Sequence, residues 1–293
     1  MSKIKIYLVI AALAILASCK KEDDLGDVST IPGLGGDTWA TTPIDRWISD
    51  TLTTPFNVSA KYKWDQGELE FDKTLTPPDE SKIIPVLSAI KKVWIDTYVA
   101  EAGKTFMQKY IPKFFVLVGS ASWNLDGTIT LGTAEGGRRV VLYILNDFRV
   151  KGMTGYVPGD STNIKMMFHT IEHEFGHILH QTVLYPEDFR RISVGDYTSN
   201  WNNTPEAEAN EKGFVTAYAQ SAPDEDFVEM ISMMLSEGKA GYEAIVNSIT
   251  STTAKNRLRQ KEAIVVTYFK DVWGINFFSL QTRTRNSIDA LIK

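Results

Sequence analysis

Cysteine is nearly absent from this chain, because Cys19 is the single cysteine among 293 residues and has no partner for an intramolecular disulfide bond. Positive charge is not in excess either: 31 Lys and Arg residues stand against 36 Asp and Glu residues, for a net charge of −5. Without a basic cluster that could follow a phosphate backbone, nucleic acid is not an expected partner. After residue 19, no stretch approaches the roughly eighteen consecutive apolar residues that a membrane-spanning helix needs.

Residues 1–19 predict a signal peptide. Lys3 and Lys5 precede an apolar run that is too short to span a bilayer as a mature helix. The run ends in Leu-Ala-Ser-Cys at residues 16–19, which resembles a bacterial lipobox. The resemblance implies cleavage before Cys19 and lipidation of that cysteine, so we expect membrane contact through the lipid anchor only. Alternatively, Cys19 is a free thiol, but the position of this residue at the edge of an export segment argues against that interpretation.

Residues 20–43 predict a flexible tether, because they are rich in Gly, Thr, Asp and Pro and carry few large apolar side chains. The tether begins with Lys-Lys-Glu-Asp-Asp at residues 20–24, similar to the acidic export tags of Bacteroidetes surface lipoproteins. A charged run of this kind is also typical of an ordinary solvated spacer. Residues 44–293 are left to fold as one domain, and a hydrophobic content of 43% is enough for a sizeable core without disulfides.

Histidine is scarce and clustered. The four histidines of the chain are His169, His173, His177 and His180. The middle pair lies in the run His-Glu-Phe-Gly-His at residues 173–177, which has the HExxH pattern. Residues four apart project from one face of an α-helix, so His173 and His177 can bind one metal ion while Glu174 lies beside the open coordination position. The pattern predicts hydrolysis assisted by one catalytic zinc ion, and a merely solvated, histidine-rich helix is the alternative.

The residues around the motif support a helix with two different faces. At 100° per residue, an apolar stripe forms on the side opposite the histidines. The stripe consists of Ile164, Phe168, Ile171, Phe175 and Ile178. Polar residues after Pro158-Gly159 offer a start and Pro186 forces a stop, which predicts a helix of about twenty residues.

The remaining pattern predicts an α+β domain with a small mixed sheet in the first half and a helical second half. Predicted strands cover residues 56–64, 114–118, 128–133 and 138–145, the last two joined by a Glu-Gly-Gly hairpin turn at 135–137. Predicted helices cover residues 83–98, the histidine segment, 225–238, 239–248 and 253–273. The histidine helix stands at the junction, where we expect it to pack against the sheet.

Catalytic zinc usually has three protein ligands, so His173 and His177 need a partner. In an unbroken helix His180 lies roughly 10 Å along the axis from His173, too far to share one tetrahedral ion. Glu225 and Glu229 share a face of a later helix, where one carboxylate can bind zinc while the other fixes a ligand histidine through its outer N–H. Glu229, Asp226 and His180 remain possible as the third ligand in place of Glu225. Alternatively, the acidic residues of this turn serve only to stabilise the positive end of the helix dipole.

The HEFGH run followed by Glu-Asp-Phe-Val-Glu at 225–229 resembles the gluzincins. With a tyrosine seven residues before Glu225, it is similar to the lethal-factor type of zinc peptidase. The resemblance implies a zincin-like fold, and with it a set of residue roles. These are His173, His177 and Glu225 as zinc ligands, Glu174 as the catalytic base, Tyr218 as donor to the oxyanion, and Glu229 and His180 as supports of the ligands. Ordinary packing is the alternative for Tyr218.

Together, the lipobox, the acidic tag and the run HEFGHILH at 173–180 resemble the substrate import-associated zinc metallohydrolase lipoproteins of the Bacteroidetes. The resemblance implies a peptide or protein substrate, a place on the cell surface of the outer membrane, and a TonB-dependent importer with its surface lipoproteins as partners. A non-catalytic accessory lipoprotein that binds substrate on a zincin scaffold is the alternative, which the presence of Glu174 argues against. We also expect a peptide to dock at a sheet edge formed by the strand at 138–145.

Overall fold

Short strands occupy the first half of the folded region, and helices dominate the second half. The computed structural model describes residues 40–70, 72–124, 127, 129–130, 132–135 and 139–293. Cys19, the predicted signal peptide and nearly all of the predicted tether lie outside the described residues. Residues Pro43–Lys293 form one compact unit. Within the described part of the chain, no helix is both long and apolar enough to cross a membrane.

The main sheet is mixed and contains four of the described strands, in the order β1-β2-β6-β5. The strands are β1 (Ser59–Lys61), β2 (Phe114–Leu117), β3 (Ser122–Trp123), β4 (Ile129–Thr130), β5 (Gly132–Glu135) and β6 (Arg139–Leu142). Strands β1, β2 and β6 run parallel, whereas β5 is antiparallel to β6. Strands β3 and β4 form a separate two-stranded ribbon.

Two predicted strands differ from the observed ones. Phe56 ends a helix instead of beginning a strand, because Ile48, Leu52 and Phe56 repeat every four residues on one buried face. Asn57 then ends that helix in the left-handed conformation, with φ of 55°. The predicted strand 128–133 is divided between β4 and β5 because these two segments pair with different neighbours.

The predicted docking edge is wrong. Strand β6, which corresponds to the predicted strand at 138–145, is paired with β2 on one side and β5 on the other. Its backbone hydrogen bonds are therefore used within the sheet. Among the described strands, the edges of the sheet are β1 and β5. Strand β5 pairs antiparallel with β6 as the hairpin prediction requires, although residues 136–138 of the turn lie outside the description.

The helices are defined here in chain order. They are α1 (Pro43–Ile48, Ser49–Thr53 and Thr54–Phe56), α2 (Glu80–Ile90, Lys91–Ile95 and Asp96–Ala102), α3 (Lys104–Tyr110), α4 (Asp160–Thr182), α5 (Glu187–Ile192), α6 (Glu206–Glu211), α7 (Pro223–Ser248), α8 (Thr252–Trp273) and α9 (Phe277–Ile292). The α+β class and the small mixed sheet are confirmed. Helices α1, α3, α5, α6 and α9 were not predicted; in α9 the buried polar side chains Gln281 and Thr284 interrupt the apolar stripe.

Helix α4 carries the histidines, and its predicted apolar stripe is confirmed because all five members are buried. Phe175 packs edge-on against Trp94 and Tyr98 of α2, with ring centroids 5.1 and 5.0 Å away. On another face, α7 crosses α4 at Gly176, where an added Cβ would lie 3.0 Å from Val228 Cγ1. The absence of a side chain at Gly176 thus lets the two helices approach closely.

Helix α7 is bent at Gly238, whose φ of 67° and ψ of −176° are not helical. The break frees backbone carbonyls of the preceding turn from their usual partners. Helix α9 satisfies two of them: Gln281 Nε2 donates to the carbonyl of Met234 at 2.8 Å, and Arg285 Nη1 to that of Ser236 at 2.9 Å. The unpredicted helix α9 therefore supports the bend in α7.

Candidate metal centre

Three ligand atoms from α4 and α7 converge on one point. His173 Nε2 and His177 Nε2 lie 3.2 Å apart. Glu225 Oε2 lies 3.2 Å from His173 Nε2 and 3.3 Å from His177 Nε2. Gly176 lies between the two histidines and Val228 lies one turn after Glu225, so the close helix crossing brings these side chains together.

The arrangement fits a zinc ion. Zinc–nitrogen and zinc–oxygen bonds are about 2.0–2.2 Å long, and in a tetrahedron such bonds place neighbouring ligand atoms about 3.3 Å apart. Two imidazole nitrogens and one carboxylate oxygen are also a donor set found in catalytic zinc sites. Such a set leaves one coordination position for water or substrate.

Glu229 is buried beside His173 and bound by three donors. Its Oε1 lies 2.7 Å from His173 Nδ1 and 2.9 Å from His169 Nε2, while Thr216 Oγ1 donates to Oε2 at 2.6 Å. A carboxylate at Nδ1 favours the tautomer with the proton on that atom, which leaves the lone pair of His173 Nε2 directed at Glu225 and His177. Glu229 therefore orients the His173 ring and is not one of the three converging atoms.

His180 occupies the equivalent position beside His177. Its Nε2 lies 3.0 Å from His177 Nδ1. Burial, together with the nearby charge of His177, lowers the pKa of His180 to about 4. This imidazole is therefore neutral and can accept a hydrogen bond from the His177 Nδ1–H group. The structure thus places His180 behind His177, away from the point where the three ligand atoms meet.

The electrostatics of the centre favour a cation. Burial opposes charge on Glu225, but its contacts with His173 and His177 hold the pKa of the carboxyl well below its usual range. Burial also opposes charge on His173, yet Glu225 and Glu229 outweigh it and raise the pKa of His173 to about 10. A metal ion must therefore compete with a proton for His173.

Glu174 and Tyr218 line the cavity at this centre, which has a volume of about 450 Å³. Glu174 is half-buried on α4, between the two histidines of the motif. The ring of Tyr218 lies 5.8 Å from that of His173, and its hydroxyl is close enough to the Glu225 carboxylate to feel its charge. Burial and the Glu225 carboxylate raise the pKa of Tyr218, so the phenol keeps its proton and can donate it to a hydrogen bond.

Asp226, considered above as a substitute ligand, faces away from the centre. Its buried carboxylate lies 2.6 Å from Lys261 Nζ of α8 and accepts a hydrogen bond from Tyr197 at 3.0 Å. Lys261 also donates to the carbonyl of Gly213 at 2.8 Å. This network ties the first turn of α7 to α8 and to the segment before Tyr218. The sequence offered no sign of it, since nothing local marks Lys261 as a buried lysine.

Comparison with known proteins agrees with this geometry. Residues 37–278 match a family described as "Putative zinc-binding metallo-peptidase". A crystal structure described as a "putative zinc-binding metallo-peptidase" from Bacteroides caccae is 33% identical, with a TM-score of 0.70 over 86% of this chain and 97% of that chain. No curated protein matches the chain. On the extent of the family match, which spans most of the folded region, the chain belongs to this family of zinc-binding metallo-peptidases.

Proposed function

We propose that the protein is a zinc metallopeptidase that hydrolyses peptide bonds in the cleft at the metal centre. The observation that carries the proposal is the convergence of His173 Nε2, His177 Nε2 and Glu225 Oε2 within 3.3 Å of one another. Membership of the family supports it. In this proposal those three residues hold one zinc ion, and Glu229 and His180 orient the two histidines.

The zinc ion would supply Lewis-acid chemistry, polarising a carbonyl oxygen and making water more acidic. Glu174 would accept the proton of the attacking water at its carboxylate and deliver it to the leaving amine. Tyr218 would donate its hydroxyl hydrogen bond to the oxyanion that develops on the scissile carbonyl. The raised pKa of Tyr218 keeps this donor protonated at neutral pH.

Strand β5 is the proposed guide for the substrate backbone. Gly132 of β5 and Thr130 of β4 line the same cavity as His173 and Glu174. Within the described residues β5 pairs on one side only, so its other side can add an extended peptide as a further strand. An added Cβ at Gly132 would lie 2.5 Å from Thr170 Cγ2, which explains how this edge comes so close to α4.

The experiment that tests the function compares wild type with Glu174→Gln. We expect both proteins to bind one zinc ion per chain, and only wild type to hydrolyse a mixed peptide library followed by mass spectrometry. Glu187→Gln, an exposed glutamate on α5, is the matched control and should behave as wild type. Failure to bind supplied zinc would refute the proposed site, and hydrolysis that survives Glu174→Gln would refute the role of the base.

We further propose that the protein is a lipoprotein of the outer membrane, anchored at the cell surface through Cys19, and that it serves a TonB-dependent importer. The support is the lipobox-like sequence and the acidic run that follows it. Labelled fatty acid should be incorporated by wild type and not by Cys19→Ser. External protease should digest the wild-type protein on intact cells. Protection on intact cells would contradict surface exposure, and absence of labelling would contradict the anchor.

A further inference from the structure

A second cavity adjoins the cleft at the metal centre and is called the side groove below. It has a volume of about 610 Å³ and runs between α4 and α7. His169, Tyr218 and Glu229 line both cavities, so the groove opens directly beside the proposed reaction centre. It reaches Thr162, which is seven residues before His169 and therefore about 10 Å farther along α4. The position and size suit the side chain of a bound substrate.

Part of the groove wall is apolar. Met166 from α4 and Met233 from α7 line it, together with Val215 and Ile245. Methionine side chains adapt to linear aliphatic groups, and the stems of Lys and Arg bury well along such surfaces while their charged ends reach water. The wall therefore fits a long, flexible side chain better than it fits a short polar one.

The charged residues of the groove are mainly acidic. Three carboxylates, Glu206, Glu229 and Glu237, line it beside a single lysine, Lys165. Glu237 is neutralised by Lys165 at 2.8 Å, and Glu229 is bound by the two imidazoles and Thr216. The carboxylate that remains is Glu206, for which no ion pair with Lys or Arg occurs in the part of the chain that the structure describes.

Glu206 is also held in place. It begins α6, and its Oε2 accepts a hydrogen bond from the backbone N–H of Ala217 at 2.9 Å. Ala217 directly precedes Tyr218, so this bond fixes the carboxylate next to the proposed reaction centre. Glu206 is exposed as a residue, but partial burial of its carboxyl and the nearby Glu229 raise its pKa, an effect that a cationic partner would oppose. The groove therefore presents a fixed carboxylate with which a positively charged group of a substrate can pair.

We infer that the side groove is a subsite for a basic side chain, with the aliphatic stem of Lys or Arg along Met166 and Met233 and the cationic end at Glu206. The inference rests on the proposed peptidase function, since it assigns the side-chain preference of that same cleft. Glu206 is the residue that determines this preference. A free α-amino group of a substrate offers a similar charge without the aliphatic stem, so the test must separate the two.

The test measures peptide binding, which does not require hydrolysis. Zinc-loaded protein carrying Glu174→Gln is titrated with fluorescent peptides, N-acetylated and C-amidated, in which one position of a polyalanine frame is Arg, norleucine or Glu. Each position is scanned in turn, and a free-amine norleucine peptide forms the additional arm. We expect one position at which Arg binds about fivefold more tightly than norleucine, and Glu more weakly than both.

Substitutions at Glu206 then decide the assignment. Glu206→Gln keeps the hydrogen-bond acceptor for Ala217 and removes the charge, so it should abolish the Arg preference and leave norleucine binding within about twofold. Glu206→Lys should reverse the preference in favour of Glu. Glu208→Gln removes an exposed carboxylate of the same helix that pairs with Lys212, and as the control it should keep the Arg preference.

Each result has a defined meaning. Equal binding of Arg and norleucine at every position, or an Arg preference that survives Glu206→Gln, would overturn the inference even if wild type hydrolyses peptides. A preference seen only with the free-amine peptide would overturn the side-chain assignment and place the terminal amine at Glu206. Absence of hydrolysis by wild type, combined with an Arg preference that depends on Glu206, would refute the proposed function while the subsite stands.

Discussion

The two proposed ligand histidines are supported by different kinds of partner. His173 Nδ1 meets the buried carboxylate of Glu229 at 2.7 Å, whereas His177 Nδ1 meets the neutral imidazole of His180 at 3.0 Å. Hydrogen bonds to an ionised acceptor are roughly twice as strong as those between neutral groups. His173 should therefore be the more firmly oriented and the more basic ligand of the pair.

Replacing Glu229 by glutamine should lower zinc affinity about 10- to 100-fold, because the neutral amide is a weaker acceptor for His173. His180→Gln should lower it less, since the lost partner of His177 was already neutral. Competition with a fluorescent chelator measures both affinities. Glu243→Gln, a partly exposed glutamate of α7 paired with Arg259, is the control and should leave zinc affinity unchanged. An equal effect of the Glu229 and His180 substitutions would contradict the asymmetry.

The neighbours Glu225 and Asp226 should give opposite phenotypes. Glu225→Gln should reduce zinc binding and cost the metal-free protein only about 1 kcal/mol, because the half-buried Glu225 carboxylate loses its contacts with His173 and His177. Asp226→Asn should leave zinc stoichiometry at one per chain but destabilise the fold by about 3–5 kcal/mol, because Lys261 would keep a buried charge without its partner. Urea denaturation with excess chelator gives the stability, and metal analysis gives the stoichiometry. Loss of zinc in Asp226→Asn without destabilisation would contradict the geometry.

At the scale of elements, the centre depends on how α4 and α7 are held. Helix α7 contacts α4 at Gly176, α8 through Asp226 and Lys261, and α9 through the carbonyls at its bend. The proposed ligand Glu225 is on the first turn of α7, far from the bend at Gly238, so the bend serves packing and not the site directly. The backbone conformation of Gly238 is nearly exclusive to glycine.

Gly238→Ala should destabilise the protein by about 1–3 kcal/mol. The alanine would be strained at a φ of 67°, and its Cβ would lie 2.7 Å from Arg285 Cγ. Gly159→Ala is the matched control, because Gly159 has an ordinary φ of −62° and nothing within 4 Å of an added Cβ. Urea denaturation compares the two. A Gly238→Ala protein as stable as wild type would show that α7 can straighten without loss.

For the whole molecule, a zinc ion held by α4 and α7 would link helices that belong to the same core but lie far apart in sequence. His177 and Glu225 are separated by 48 positions. Ligands that bind only the folded state stabilise it in proportion to the logarithm of their concentration over Kd. Zinc should therefore raise the stability of the entire folded region and not only that of the helices it contacts.

Removing zinc with a chelator should lower the unfolding temperature by roughly 10 °C, which corresponds to about 4 kcal/mol at a thousandfold excess of zinc over Kd. Calorimetry with and without zinc measures the shift. The double substitution His173→Ala and His177→Ala serves as the control, and its unfolding temperature should not respond to zinc. A zinc-dependent shift in that double variant would show that the ion stabilises the protein from another site.

Local sequence patterns predicted a large part of the structure. Helical periodicity alone predicted α4, its buried stripe and the division of α7 at Gly238, because 3.6-residue spacing and helix-breaking residues act over neighbouring positions. The prediction was wrong at Phe56, because the alternation of apolar and polar residues that suggested a strand begins inside the end of a helix. It failed again for α9, whose buried Gln281 is explained only by a carbonyl of α7.

By itself, the sequence determined the helix of HExxH and the chemistry that two histidines and a glutamate at that spacing can perform. Tertiary structure decided that Glu225 meets them while Asp226 turns toward Lys261, because adjacent residues on a helix point in different directions and only the packing angle selects one. It also decided that β5, and not β6, is an edge strand, and that Glu206 lies beside the proposed reaction centre. These features join elements distant in the chain, whose contacts follow from how all the buried faces fit together.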